Sequence, residues 1–451
     1  MKKYSTLSFF LLFLAGASSG QSITQQLDSF MQASNHAHTF NGMVLVARND
    51  SILLQKGYGY RDAQKQIPHD SSSLFQIGSL SKSFTAICIL QLQEQGRLRL
   101  SDKLSRYFPF YKIGSEVTIE NLLSHTGGIW EYSKDDAFMN SIYSGHLTQA
   151  AFWELVGKKP LDFTPGTEFS YSNTGYMMLG YLIEKVTGRT YWQVVREGIF
   201  NKAGMRSSGF DFAGSNPRYR SVGYEVLFTK PQEPARIVDS SYSFAAGAIY
   251  SSVGDLYRYS KALLSGKLIN AATMNKAFTP VLKNYGYGWT IDSIPGMRVV
   301  EHQGGIPGFL TILAMVPENK TTIILLSNSS DPGVALPVTY MDLVKVLMGW
   351  SYVLPRLAVD VAPDSLAAYT GDYASVDNKT FIGHFTMWYD HLQVQWNKDD
   401  PQELFAEKKD SFFLKLYDAQ LVFVRNAAGK VTGFTAHVGK KSFVYQRVGT
   451  P

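Results

Sequence analysis

Cysteine is almost missing from this chain: Cys88 is the only one in 451 residues. No intrachain disulfide can form, and no thiolate cluster can hold a metal. Histidines are few and scattered, with His36 and His38 the only close pair, and no His-Glu-x-x-His pattern occurs. Neither a metal nor a cofactor is expected. No apolar run approaches the roughly twenty residues that cross a bilayer, so no membrane span is expected. Long runs of one charge are lacking too: 43 Lys and Arg face 37 Asp and Glu, a net +6. Two of those cations, Lys2 and Lys3, stand at the very start. Without a basic stripe the surplus reads as solvated surface, and a nucleic-acid partner is not expected. There is no internal repeat and no low-complexity tract.

What is present is the composition of a globular protein, 45% hydrophobic and 18% charged. Single cores seldom grow past about 250 to 300 residues, so the length predicts one large domain and one small one. The first twenty residues run from Lys2-Lys3 through an apolar stretch, Leu7 to Leu14, to the small residues Ala15 to Gly20. Those are the three parts of a secretory signal peptide. Residues 1–20 are therefore expected to be removed, the protein exported, and its place a bacterial periplasm or the outside.

Met43 to Arg48 and Ser51 to Tyr58 read as two strands about an Asn49-Asp50 turn. From Ser79 to Gln95 apolar residues recur on most sides of a helix, which predicts burial all round. A helix-rich stretch follows to about Gly266, including Tyr176 to Val186 and Val253 to Leu264. Strands return at Arg298 to His302, Phe309 to Val316 and Thr321 to Ser327. Helices set between two groups of strands predict a mixed sheet whose edges come from both chain ends. Past Leu354-Pro355 only short alternating runs remain, such as Phe385 to Tyr389, Leu392 to Trp396 and Phe412 to Leu416. They predict a small all-β module, a barrel or a sandwich. The expected division is 22–355 and 356–451.

Three short constellations carry chemistry. In Ser79-Leu80-Ser81-Lys82, residues three apart share a helix face, so the Lys82 amine can reach the Ser79 hydroxyl. Serine is a poor nucleophile until a base takes its proton, and a lysine with a depressed pKa can be that base. Read blandly, the segment is a helix start followed by a surface lysine, but an unpaired ammonium on so apolar a helix is costly. In Tyr171-Ser172-Asn173 an extended segment would point Tyr171 and Asn173 the same way. The phenol could shuttle a proton and the carboxamide hold a substrate amide, or the segment could simply cap a helix. His302-Gln303-Gly304-Gly305 closes a predicted strand, where small residues let a substrate backbone lie alongside and a backbone N–H can help an oxyanion hole.

Taken in this order with Leu122-Leu123-Ser124-His125-Thr126-Gly127-Gly128, Ala246-Gly247-Ala248-Ile249-Tyr250-Ser251 and Tyr287-Gly288-Trp289, the three resemble the class C β-lactamase and D-alanyl-D-alanine peptidase family of penicillin-recognising serine hydrolases. The likeness runs from about residue 25 to 350. It implies an α/β (α+β) fold of the β-lactamase/transpeptidase type, its sheet flanked by helices and joined to a helical lobe. It also implies that Ser79 is acylated and then freed by water, with Lys82 and Tyr171 as the acid/base pair, the first base left open. Asn173, His302, Gly304 and Gly305 would bind substrate, and His125 would be structural. Where class C β-lactamases carry Lys-Thr-Gly, this chain has His302-Gln303-Gly304, a form that resembles D-aminopeptidases, some DD-carboxypeptidases and carboxylesterases of the family. The expected substrate is a small peptide, ester or β-lactam, with peptidase or carboxypeptidase action on D-amino-acid compounds foremost. A carboxylesterase, a weak β-lactamase or a penicillin-binding protein that does not turn over are the alternatives. The tail from Tyr369-Thr370-Gly371-Asp372-Tyr373 resembles the lipocalin-like β barrels appended to such hydrolases. The oligomeric state is not legible in the sequence.

Overall fold

The computed structural model describes residues 21–449 apart from 144, 229, 230 and 416, so the expected signal segment lies outside the described residues. The chain opens with helix α1 (Ile23–His36), started by a capping box between Ser22 and Gln25. Strands β1 (Gly42–Arg48) and β2 (Ser51–Tyr58) form the expected hairpin. Asn49 and Asp50 both take left-handed φ, 51° and 63°, as a two-residue type I′ turn requires. Helix α2 (Ser81–Glu94) is buried from Ser81 through Leu92, and helices α3 (Asn173–Thr187) and α4 (Val253–Leu264) follow in the helical middle. Strands β3 (Thr290–Ile294), β4 (Met297–Ile306), β5 (Phe309–Val316) and β6 (Thr321–Ser327) then lead into helix α5 (Leu336–Met348).

The six strands make one sheet in the order β2-β1-β6-β5-β4-β3. All its pairings are antiparallel, which corrects the expectation of a mixed sheet. The reason is connectivity: β1–β2, β3–β4, β4–β5 and β5–β6 are each joined by a short turn, and a short turn reverses the chain. The edges are β2 and β3, with β6 and β5 buried at the centre. Alternate side chains serve two cores. Met43, Leu45 and Ala47 pack with the helical lobe and α2, while Val44 and Val46 pack with α1 and α5. Burial on both faces explains why β6 reads as an unbroken apolar run.

The C-terminal strands close into an eight-stranded barrel: β7 (Gly371–Ser375), β8 (Ile382–Trp388), β9 (His391–Trp396), β10 (Gln402–Lys408), β11 (Ser411–Leu414), β12 (Ala419–Arg425), β13 (Val431–Val438) and β14 (Lys441–Val448). It has its own core around Tyr373, Phe385, Phe412 and Phe434. The expected run Phe412 to Leu416 ends at Leu414 as a strand, and Leu416 is not among the described residues. The barrel meets the rest through Val359 N–H to the Ala406 carbonyl at 2.8 Å, Lys415 Nζ to the His38 carbonyl at 3.4 Å, and Tyr389 to Glu233.

Candidate active site

Ser79 lies in a tight 3-10 turn, Gly78–Leu80, that feeds α2, so the α-helix begins two residues later than a start at Ser79 would have it. Lys82 sits in the first turn of α2 and is 0% exposed. Its ammonium meets three neutral acceptors: Ser79 Oγ at 3.0 Å, Asn173 Oδ1 at 2.7 Å and the Ala246 carbonyl at 2.9 Å. That last acceptor is aimed by a break in the helical stretch Ser240–Gly247, where Phe244 takes φ 30° and ψ −123°. Past the break, the Ala245 carbonyl accepts from Thr85 and the Ala246 carbonyl from Lys82. Burial pushes the Lys82 pKa down to about 7, against a smaller upward pull from the Glu131 carboxylate.

Tyr171 stands beside this pair. Its ring centre is 4.8 Å from Lys82 Nζ, and Tyr171 shares the lining of one hollow with Ser79. Burial there pushes the phenol above its ordinary pKa of 10, so it stays protonated at neutral pH. His125 fixes the segment from both sides: its carbonyl accepts from Ser170 N–H at 3.0 Å, and its Nδ1 from Ser172 N–H at 3.0 Å. Its ring packs 4.3 Å from that of Tyr171, between centroids. Burial drives the His125 pKa well below 6.5, so the ring is neutral.

Asn173 is not in an extended segment, which corrects the expected pleat argument. Ser172 caps α3, accepting from Gly175 N–H, and Asn173 is the first helical residue. Tyr171 and Asn173 both reach Lys82 because the chain turns into a helix between them, so the capping reading and the binding reading hold together. The Asn173 carboxamide is oriented by its second bond, Nδ2 to Glu131 Oε1 at 2.9 Å. Glu131 is itself buried and accepts the Thr174 N–H at 3.1 Å, where a helix N-terminus favours an anion.

The third element is β4, which runs four residues past its expected end, so His302 to Gly305 lie within the strand. A Cβ on Gly304 would come 1.9 Å from the Ile77 carbonyl, and one on Gly78 would come 2.8 Å from that of Gly305. Only glycine lets the Ser79 turn lie against the strand. His302 is buried, and its Nδ1 lies 2.6 Å from the Gln303 carbonyl, which can only accept. Nδ1 therefore carries the proton, and Nε2, 2.9 Å from the Tyr285 hydroxyl, accepts. Burial, with the Lys82 charge nearby, lowers the His302 pKa to about 3. An imidazole free in solution would titrate near 6.5 instead.

Ser79 and Gly305 sit between two hollows. One, about 170 Å³, is lined by Asn173, Tyr132, Tyr242, Met139, Ile142 and Ile306 among others. The other, about 640 Å³, carries Tyr171, Tyr285 and His302 and continues to Asp292 and Glu301. Ser79, Lys82, Tyr171, Asn173, His302, Gly304 and Gly305 are thus brought to one place. Glu131 and Tyr285 join them without having been read from the sequence. The available signals were their positions, Glu131 three residues past Gly128 and Tyr285 two before Tyr287, each beside a recognised motif.

A helix-covered antiparallel sheet, with a cleft where a Ser-x-x-Lys helix start meets a glycine-bearing strand, is the architecture of the β-lactamase/transpeptidase-like serine hydrolases. The chain belongs to the Beta-lactamase family, which it matches over residues 27–345. A penicillin-binding protein of Bacillus subtilis (strain 168) is 28% identical over 431 residues, 89% of this chain and 94% of that protein. The octameric penicillin-binding protein homologue from Pyrococcus abyssi superposes with a TM-score of 0.66 at 23% identity, covering 93% of this chain and 99% of its own. The D-stereospecific amidohydrolase from a Streptomyces species gives 0.57 at 26% identity, over 68% of this chain and 94% of its own. No helix among the described residues is long and apolar enough to cross a membrane.

Proposed function

We propose that this protein is an exported serine hydrolase that acts through an acyl-enzyme on Ser79, with D-amino-acid amides and peptides as its leading substrate class. The observation that carries the reading is the 3.0 Å contact between Ser79 Oγ and a fully buried Lys82 whose pKa is near neutrality. With Lys82 neutral, Ser79 Oγ attacks the substrate carbonyl carbon and its proton passes to the amine. The N–H groups of Ser79 and Gly305 hold the oxyanion. Tyr171 gives its proton to the departing nitrogen or oxygen and recovers one from the Lys82 ammonium. Water then enters from the vacated side and reverses these transfers to free the acid. This assigns Lys82 as the first base and Tyr171 as the first acid, a choice supported by the opposite directions of their pKa shifts.

Asn173 stands in the smaller hollow and Tyr171 in the larger, so the acyl part belongs with Asn173 and the leaving group with Tyr171. The charged side chains that line the leaving-group side are Asp292 and Glu301, while His302 is neutral. That favours uncharged leaving groups, amides and esters, over ones bearing a carboxylate. The likeness to a D-stereospecific amidohydrolase supports the amide branch. Purified protein should therefore turn over a D-amino-acid amide and a short aryl ester with higher kcat/KM than a chromogenic cephalosporin. A cephalosporin as the best of the three would defeat this substrate reading.

A further inference from the structure

The barrel is filled unevenly along its axis. Inward positions on four strands change from ring to smaller side chain toward the same end: Tyr373 to Ser375 on β7, Phe412 to Leu414 on β11, Phe423 through Leu421 to Ala419 on β12, and Phe434 to Ala436 on β13. Because β12 runs antiparallel to β11 and β13, its reversed order points the same way as theirs. At the packed end the rings touch, with Tyr373, Phe385, Phe423 and Phe434 at centroid distances of 5.0 to 5.8 Å. Small side chains at the other end leave a hollow of about 650 Å³, open to solvent. Eight strands are just wide enough either to be filled by side chains or to hold one small ligand.

Aromatic rings line the opening. Phe381 and Trp396 stack at 5.5 Å with planes 11° apart, and Tyr445 lies 5.4 Å from Trp396. Tyr417 and Phe443, both substantially exposed, stand in the same lining. Among the described residues of that lining the only charged side chains are Asp377 and Asp399, both exposed at the rim, and none is a lysine or arginine. Rings with a negative π face beside carboxylates suit a positive or hydrogen-donating head, and they repel an anion. An apolar body of one or two rings would occupy the volume left by Ser375, Ala419 and Ala436.

We propose that the open end of the C-terminal barrel is a binding site for a small amphipathic molecule with an aromatic or alkyl body and a cationic or hydrogen-donating head. The site shares no lining residue with the cleft around Ser79, so it stands apart from the hydrolase reading.

The experiment is a calorimetric titration of the full chain with three probes of one body and different heads: naphthylmethylammonium, naphthylmethanol and naphthoate. The ammonium and the alcohol should bind, and naphthoate should bind roughly fivefold or more weakly, the scale expected of exposed charge pairs. Ala436→Trp, which fills the hollow, should abolish binding while leaving ester or amide turnover unchanged. The double variant Asp377→Asn, Asp399→Asn alters only exposed side chains and should bring naphthoate level with the ammonium, which keeps the test open if Ala436→Trp does not fold. Three results would overturn the site: no binding of any probe by folded protein, undiminished binding in folded Ala436→Trp, or naphthoate binding wild type as tightly as the ammonium.

Discussion

Lys82 touches Ser79 at 3.0 Å while having no solvent contact of its own. A buried amine with only neutral acceptors is held against its solvation preference, a cost that the proposed base role of Lys82 accounts for. If Ser79 is the nucleophile, Ser79→Ala should lower turnover by roughly three orders of magnitude or more. Intact-protein mass spectrometry should show a fluorophosphonate adduct on wild type and none on the variant. A persisting adduct would move the nucleophile elsewhere.

The pH profile follows from the same contact. Lys82 must be neutral to accept a proton, and its pKa is lowered to about 7. The kcat/KM for a neutral ester should therefore fall as pH drops through about 7 and level off above it. Tyr171, raised above 10, should impose no loss until strongly alkaline pH. An acid limb near pH 4 to 5, the ordinary carboxylate range, would instead point to a carboxylate as base.

Glu131 offers a way to move that limb. Its carboxylate raises the Lys82 pKa, against the larger effect of burial, and orients Asn173 through the 2.9 Å bond. Glu131→Gln keeps an acceptor for Asn173 and removes the charge, so the limb should shift downward by about one pH unit. A lower plateau with an unmoved limb would mean that Glu131 acts only as a support for the α3 start.

How far the sequence reveals all this depends on whether a residue's part is local. The hairpin turn at Asn49-Asp50 was legible because two left-handed residues have a local signature. Ser79 and Lys82 were legible because three-residue spacing brings them together within one turn. Helix α1 was not read, although Leu27, Phe30, Met31 and Ser34 are buried at helical spacing. The antiparallel sheet was missed because β1 and β6 pair across some 280 intervening positions. Glu131 and Tyr285 matter through partners 42 and 17 residues away, which no short pattern encodes. The burial that neutralises His302 is also tertiary, and no local motif carries it.

Division of the chain at 22–355 and 356–451 remains a proposal with a direct test. The lining of both hollows around Ser79 ends at Pro337, and along the connecting segment the first tie to the barrel is Arg356 to Asp418 at 3.4 Å. A chain ending at Ala358 should fold, by circular dichroism, and hydrolyse a small aryl ester within a few-fold of the full protein. A folded but inactive product would show that the barrel helps complete the site.

His302 is where the chain departs from the Lys-Thr-Gly pattern. A lysine there would be a standing positive charge, whereas this imidazole gives its Nδ1 proton to the Gln303 carbonyl and accepts from Tyr285. A histidine free in solution would gain charge as pH fell toward 6, and action on carboxylate substrates would improve with it. Burial removes that behaviour: with a pKa near 3 the ring is neutral at pH 5 and at pH 8 alike. The ratio of kcat/KM on a carboxylate-bearing substrate to that on its neutral analogue should thus stay flat between about pH 5 and 8, even as both fall together with Lys82. His302→Lys should raise the ratio by about tenfold or more, as a charge-assisted hydrogen bond is worth about 1.5 to 3 kcal/mol. The new ammonium should also depress Lys82 further and carry the acid limb to lower pH, which separates a charge effect from a disturbed strand. A wild-type ratio that climbs as pH falls would mean that His302 does take up a proton, and a ratio unchanged in His302→Lys would mean that selectivity is set elsewhere in the cleft.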